Sequence, residues 1–447
     1  MIKYTQNNGP SEKSGLKFIL RALGSRNYRL YFAGQGISLI GTWMQRIAQS
    51  WLVYRLTDSV FLLGIVGFST QIPTFLVAPF AGVLVDNKNR YRILLASQIF
   101  AAIQAFILAI LVLTNTVKVW HIIVLGVVLG IINAFDMPSR QSLIVEMIEN
   151  RDDLSNAIAL NSTMVNGARL VGPTIAGLLI AAVGEGICFL LNALSFLAVI
   201  AALLAMKLNL PPVQKKGIAM LSNLKEGFKY AFGFPPIRAI LLLLALVSIM
   251  GMPYTVLMPI FARDILRGGP HTMGFLMGSV GVGALIGAIY LASRKSVIGL
   301  TKVLVFAASL FGTGLVLFSL SRNLFLSIVL LLFVGMGMML QMATSNTLLQ
   351  TLVDDDKRGR VLSFYNMSFF GMAPLGSFLA GSLASKIGTP ATVAFGGITC
   401  IIGAIIFLKS LPQLRKSMRP IYVRKGIIPE VAEGLQAAAN ISNRPQN

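Results

Sequence analysis

Apolar residues along this 447-residue chain come in twelve long runs separated by shorter polar connections. Each run is long enough to cross a bilayer as a helix, which takes about 20 predominantly apolar residues. Glycine and proline inside several runs fit this interpretation, because membrane helices tolerate both residues. The pattern predicts helices at 30–56, 60–85, 91–113, 120–148, 154–183, 186–207, 237–261, 273–293, 301–320, 324–353, 361–387 and 390–409.

The longest internal polar connection, 208–236, divides the predicted helices into two sets of six. The sets resemble each other at an offset of about two hundred residues, an internal repeat of the kind that transporters show. Gly172-Pro173 in the fifth helix, for example, is matched by Ala373-Pro374 in the eleventh. We therefore predict an all-α membrane protein with twelve transmembrane helices in two pseudo-symmetric six-helix halves. The predicted parts are an N-terminal tail 1–29, a first half 30–207, a connector 208–236, a second half 237–409 and a loosely ordered tail 410–447.

Composition and charge agree with a membrane protein. The chain is 55% hydrophobic and only 12% charged, whereas soluble domains usually carry about 25% charged residues. A net charge of +22 would indicate nucleic-acid binding in a soluble protein, but cytoplasmic loops of membrane proteins also collect Lys and Arg. Of the 38 Lys and Arg residues, 29 lie in or beside connections on one side of the predicted helices and 6 on the other. This bias predicts a bacterial-type plasma (inner) membrane protein with both tails and the connector in the cytoplasm, and no nucleic-acid partner.

Motifs for cofactors or covalent chemistry do not occur in the sequence. Cys188 and Cys400 lie in apolar runs, so no disulfide framework is expected. His121 and His271 stand alone at the predicted outer face and cannot form a metal cluster. The sequence has neither a phosphate-binding G-x-x-x-x-G-K-[ST] loop nor a G-x-S-x-G nucleophile elbow. We expect no cofactor and no metal, and a polytopic membrane enzyme is the disfavoured alternative because it would need a catalytic cluster.

The fourth predicted helix contains charges in the stretch D-M-P-S-R-Q, 136–141. A helix ending at Phe135 would be short for a bilayer, and apolar residues continue to Ile148, which places Asp136 near the middle of the span. Asn133, Asp136 and Arg140 are spaced by three and four and therefore share one helix face. Intramembrane ions usually face a cavity or a partner. We predict a functional group here, with a purely structural ion pair as the alternative.

The first helix carries a polar stripe beside Arg46. Its members recur at spacings of three and four, which puts them on one face. They are Gln35, Ser38, Thr42, Gln45 and Gln49. We predict that the stripe lines a cavity, with polar contact between helices as the alternative. Gln341, among four methionines of the tenth helix, and Asn133 are further cavity-lining candidates.

The only charge within the fifth helix is Arg169. With a rise of about 1.5 Å per residue, Arg169 and Asp136 come to similar heights, whereas Arg46 lies nearer the outer end. The sequence therefore predicts that Asp136 pairs with Arg169, and that Arg46 is the less favoured partner. Small residues of the fifth and eighth helices, including Gly172, Gly177 and Gly274, predict close helix packing.

The connection between the second and third helices reads G-V-L-V-D-N-K-N-R-Y-R, residues 82–92. It resembles the loop signature of the major facilitator superfamily, which has a glycine, three residues, then aspartate, arginine, any residue, glycine, arginine and a basic residue. The matching positions are Gly82, Asp86 and Arg90, and the departures are Asn87, Asn89 and Tyr91. The resemblance extends over nearly the whole chain. It is strongest to the branch containing enterobactin exporters, in FAGQGISLIGTWMQRIAQSWLVYRLT, AFDMPSRQSLIVEMI and DDDKRGRVLSFYNMSFFGMAPLG.

This resemblance implies secondary transport by alternating access in a monomer. The implied activity is export of a small organic molecule, a siderophore or drug-like compound, against inward proton flow. Gly82, Asp86 and Arg90 would then form a gate between the halves on the cytoplasmic side. The embedded ions occupy the first half, so we expect proton coupling there, with the candidates Asp136, Arg169, Arg46 and Arg140. A lipid or lysolipid transporter of the same fold is the alternative.

Overall fold

The computed structural model describes residues 20–208, 220–294, 296–354 and 357–428, and for 220–225 it describes the backbone alone. Within these ranges the chain is helical, with no strands. The first six membrane helices are α1 (Arg26–Thr57), α2 (Val60–Asn87), α3 (Arg90–Leu113), α4 (Val119–Met147), α5 (Leu154–Val183) and α6 (Glu185–Ala205). A connector helix α7 (Met220–Gly233) precedes α8 (Pro235–Ile265), α9 (Pro270–Ala292), α10 (Leu300–Leu320), α11 (Leu324–Leu352), α12 (Arg358–Ile387) and α13 (Thr389–Arg424).

The predicted arrangement of two six-helix halves is confirmed. Eleven helices in the described part of the chain are long and apolar enough to cross a membrane. The twelfth, α1, is long enough but carries the polar stripe and Arg46, which lower its mean hydropathy. The stretch D-M-P-S-R-Q lies within α4, as predicted, and Pro138 is accommodated inside that helix.

The two ends of the bundle are named here by their connections. The outer end comprises the connections near 57–60, 113–119, 183–185, 265–270, 320–324 and 387–389, which the charge bias predicts outside. The inner end comprises those near 87–90, 147–154, 205–220, 292–300 and 352–358.

Glycines bring the two halves together in the outer part of the bundle. A methyl group on Gly177 of α5 would lie 2.7 Å from the Pro270 carbonyl oxygen and 2.8 Å from the Gly274 Cα atom of α9. A methyl group on Gly64 of α2 would similarly lie 2.8 Å from the Gly381 Cα atom of α12. Helix backbones can approach this closely only where side chains are absent. The α5–α9 and α2–α12 contacts are related by the pseudo-symmetry of the halves.

Polar contacts reinforce closure at the outer end. Arg263 Nη1 of α8 lies 2.5 Å from Asp58 Oδ1, just after α1, and the Tyr54 hydroxyl donates to Asp264. Toward the inner end the same helices have free space. A methyl group on Gly167 of α5, or on Gly82 of α2, would meet no atom within 4 Å. In the described part of the chain, the halves therefore touch at the outer end and separate toward the inner end.

The last helix extends further than the apolar pattern predicts. The predicted span ends at residue 409 and is followed by a loosely ordered tail, whereas α13 continues to Arg424. That expectation is wrong because the extension is amphipathic and buries Leu411, Leu414 and Met418 in the second half. Arg424 Nη2 also lies 2.5 Å from Asp354 Oδ1. The tails 1–19 and 429–447 lie outside the described residues.

Candidate functional site

The charged cluster of α4 is buried within the first half. Asp136, with 6% of its surface exposed, accepts a hydrogen bond of 2.5 Å from Gln98 Nε2 of α3. Its second oxygen forms an ion pair with Arg140, one turn further along α4. The predicted pairing of Asp136 with Arg169 is therefore wrong, since the neighbour at i+4 already supplies the opposite charge. Asn133 is half-buried on the same helix face.

A second cationic group lies between the halves. Arg46 and Arg169 share the indole of Trp43, with their guanidinium carbons 4.8 Å and 5.3 Å from the ring centroid. Trp43 is held against α5, where a methyl group on Gly172 would lie 2.5 Å from the Trp43 Cβ atom. Arg46 is exposed and Arg169 is half-buried. The two arginines are thus neighbours, although the heights expected from helix rise alone place Arg46 nearer the outer end than Arg169.

The second half contributes the opposite wall of this site. Arg169 Nη2 lies 3.7 Å from the Met338 Sδ atom of α11, and Tyr254 of α8 lies nearby. Tyr254 and Met338 are almost completely buried. Met338 lies 14 residues from the start of α11 at Leu324, or about 21 Å along the helix axis, close to its middle. The site therefore lies at the interface of the halves near the centre of the bundle.

The polar stripe of α1 lies mostly inside the protein. Gln35, Ser38, Gln45 and Gln49 are buried, with at most 8% of each residue exposed. Gln45 donates to Gln104 Oε1 of α3 at 3.2 Å and accepts from Asn192 Nδ2 of α6 at 2.6 Å. The cavity assignment is therefore wrong for these four residues, and Gln45 instead joins three helices of one half.

Of two other cavity-lining candidates, Thr42 is half-buried and stays a prediction, whereas Gln341 is buried. The Thr42 hydroxyl donates to the Ser38 carbonyl oxygen of its own helix at 2.9 Å. Gln341 has no exposed surface, so its assignment to the cavity is wrong as well. The helical spacing that reveals a polar face does not say whether that face meets water or a neighbouring helix.

The connection between α2 and α3 leaves Asp86 exposed to solvent. In the part of the chain that the structure describes, the Asp86 side chain forms no hydrogen bond or ion pair. Arg90 lies 3.7 Å from Glu146 of α4, in its own half. Asn89, one of the departures from the loop signature, caps α3 by accepting from the Arg92 amide at 3.1 Å. Among the described residues the loop thus makes no contact between the halves in this arrangement, and its role as a gate stays a prediction.

Several residues of the site do not stand out in the sequence. Trp43, Tyr254 and Met338 carry no charge, so only their tertiary position reveals them. Gln98 could have been found, because it is one of two glutamines in an otherwise apolar third helix. No group of three potential metal ligands occurs among the described residues.

Comparisons with known proteins agree with this geometry. Residues 20–433 match the family model described as "Transmembrane secretion effector". The staphyloferrin A transporter of Staphylococcus aureus is 26% identical over 382 residues, which cover 85% of this chain and 95% of that protein. The multidrug efflux pump Tap of Mycolicibacterium fortuitum is 26% identical over 398 residues, covering 87% and 95%.

Solved structures show the same fold. The crystal structure of the POT family transporter PepTSo superposes with a TM-score of 0.67 at 14% identity, covering 88% of this chain and 99% of that one. One assignment follows from the twelve helices in two halves, the midplane site between them and the family model over nearly the whole chain. The chain belongs to the transmembrane secretion effector family of the major facilitator superfamily and is a membrane transporter, not an enzyme.

Proposed function

We propose that this transporter exports a small organic molecule, a siderophore or drug-like compound, by alternating access driven by inward proton flow. It would act as a monomer in a bacterial-type plasma membrane with both termini in the cytoplasm. Similarity to a staphyloferrin A transporter and to a multidrug efflux pump supports this choice of cargo. The Lys and Arg bias of the inner connections supports the orientation.

One observation carries the proposal: a charged site lies between the two halves at mid-depth, and the halves close over it at the outer end. Arg46 and Arg169 supply the charge, while the Gly177–Gly274 and Gly64–Gly381 contacts supply the closure. A substrate entering from the inner end would reach these arginines without crossing the outer contact. Rocking of the halves about the site would then release it on the outer side.

The Asp136 cluster is our candidate for proton coupling. An ionised Asp136 holds Gln98 and Arg140, whereas a protonated one loses the charge that attracts Arg140. Loading a proton would therefore free Arg140 to move within the first half, and Arg140 is only partly enclosed. The competing interpretation is a structural pair, whose disruption destabilises the fold rather than uncoupling transport.

Metabolite profiling of the culture medium tests the export function for any small organic cargo. A deletion strain should lose one or more small organic compounds from the medium and retain them in the cell, and the wild-type gene should restore export. Profiles should be compared with and without iron limitation, because a siderophore would appear only under limitation. An unchanged medium in both conditions, together with movement of labelled lipid in liposomes, would replace this proposal with lipid transport.

A further inference from the structure

Among the described residues, the arginines at the midplane site have no acidic partner. In the described ranges, the ion pairs involve other arginines, and neither Arg46 nor Arg169 contacts a carboxylate. The two guanidinium groups also lie against the same indole ring, so their charges are close together. Arginine in a membrane interior is costly and normally pairs with an acid or faces a watery cavity. Arg46 is exposed and Arg169 is half-buried, so the two cations border open space that an anionic ligand could enter.

The surroundings of these arginines are arranged to receive a ligand. The Trp43 indole contacts both guanidinium groups and holds them beside each other. Across the interface, the Tyr254 hydroxyl is buried and finds no hydrogen-bond partner among the described residues. A buried hydroxyl that bonds to nothing costs free energy unless a ligand or water supplies the partner. Tyr254 lies close to Arg169, so its hydroxyl belongs to the same site.

We infer that the exported molecule is an organic anion whose carboxylates bind Arg46 and Arg169. This inference rests on the proposed transport function and names the chemical class of its cargo. Guanidinium groups bind carboxylates through paired, charge-assisted hydrogen bonds. Tyr254 donates a further hydrogen bond to an anionic oxygen, and Trp43 keeps the two guanidinium groups side by side. Since the first half holds the arginines and the second half holds Tyr254, the anion contacts both halves at once.

Binding of matched probes to the full chain in lipid nanodiscs tests this inference. Isophthalate carries two carboxylates on a benzene ring, isophthalyl alcohol is its neutral counterpart and meta-xylylenediamine its cationic one. Isothermal titration calorimetry should detect millimolar or tighter binding of isophthalate and no binding of the neutral or the cationic probe. Arg46→Gln and Arg169→Gln should each weaken it by about tenfold or more, and Tyr254→Phe by less.

Two controls keep this test decisive. Arg55→Gln alters an arginine that is paired with Glu185 at 2.7 Å near the outer end, so isophthalate binding should stay unchanged. Arg46→Lys and Arg169→Lys retain the positive charge, so they should bind isophthalate more tightly than the corresponding glutamine variants. Equal weakening by lysine and glutamine would point to a packing defect. Equal binding of the neutral or cationic probe, no binding of isophthalate, or full binding by the glutamine variants would overturn the inference. Because binding is measured without transport, a failure of the export proposal would leave this result interpretable.

Discussion

A single methyl group at Gly177 should open the outer end of this transporter. In Gly177→Ala the added carbon would lie 2.7 Å from the Pro270 carbonyl oxygen and 3.0 Å from the Gly274 amide nitrogen. Both are backbone atoms of the opposite half, so no side-chain rotation can relieve the clash. The halves must separate locally, and only the arrangement closed at the outer end has this contact.

The size of the effect follows from the packing. Inserting a methylene into a well-packed contact costs about 1–3 kcal/mol, which corresponds to a shift of about 5- to 150-fold between two states. Alanine also stabilises a helix by roughly 1 kcal/mol relative to glycine. Because α5 is expected to remain helical in both conformations, this gain cancels from the free-energy difference between them. The expected outcome is a larger outward-open population, with a free energy of unfolding that is unchanged or lower by up to about 2 kcal/mol.

Distance measurements between spin labels at the outer end provide the assay. Labels on Thr116→Cys in the first half and His271→Cys in the second are exposed, whereas the native cysteines are buried. Gly177→Ala should increase the fraction of long distances. Gly167→Ala is the matched control, because it lies on the same helix and its methyl group meets nothing within 4 Å. If the two variants fold and give the same distance distribution, glycine packing does not hold the outer end closed.

Three further predictions concern other contacts. Arg263→Gln removes an ion pair whose side chains are 43% and 68% exposed. It should change the free-energy difference between the closed and open outer end by less than about 1 kcal/mol, and so shift the distance distribution less than Gly177→Ala does. Gln45→Leu leaves buried polar partners on α3 and α6 unsatisfied and should lower the free energy of unfolding by about 1–3 kcal/mol, measured by thermal denaturation; an unchanged melting temperature would contradict the packing role. Single cysteines at Ser222 and at Thr116 should react oppositely with an impermeant reagent in intact cells, and labelling of Ser222→Cys from outside would overturn the orientation.

The helices could be predicted closely because the bilayer imposes one requirement on every span. An apolar run of sufficient length must be helical, so the predicted spans agree with α1 to α6 and α8 to α12 within a few residues. The exception is α13, whose extension to Arg424 is amphipathic and rests on the second half. Apolar length identifies membrane spans and gives no signal for a helix that continues along a protein surface.

Irregular helix geometry cannot be predicted from the apolar pattern. α8 contains π-helical turns at Val247–Gly251 and Phe261–Ile265, and α12 contains one at Met367–Gly371. The Ser248 hydroxyl donates to the Phe369 carbonyl oxygen and so joins two of these turns. Glycine and proline nearby mark the stretches as irregular, but they do not specify a π turn.

The candidate site shows the limits of spacing and height as guides. Depth alone makes Arg169 the expected partner of Asp136, yet Arg140 on the same helix occupies that role. Depth cannot tell which way a side chain points around the helix axis. The stripe of α1 raises the same difficulty, since Gln45 faces α3 and α6 rather than a cavity. The sequence identifies which residues carry charge inside the membrane, and tertiary packing determines their partners.

Proton-driven export through Asp136 is the central claim, and everted vesicles test it most directly. Once profiling has identified the exported compound, its uptake is followed in vesicles with and without an imposed gradient that makes the lumen acidic. Wild type and Glu149→Gln, a control at an exposed acid just beyond α4, should accumulate the compound faster with the gradient. Asp136→Asn should fold and bind the compound but show uptake independent of the gradient. Gradient-stimulated uptake by Asp136→Asn at the wild-type rate would contradict the account, and loss of folding rescued by Arg140→Gln would make the cluster a structural pair instead.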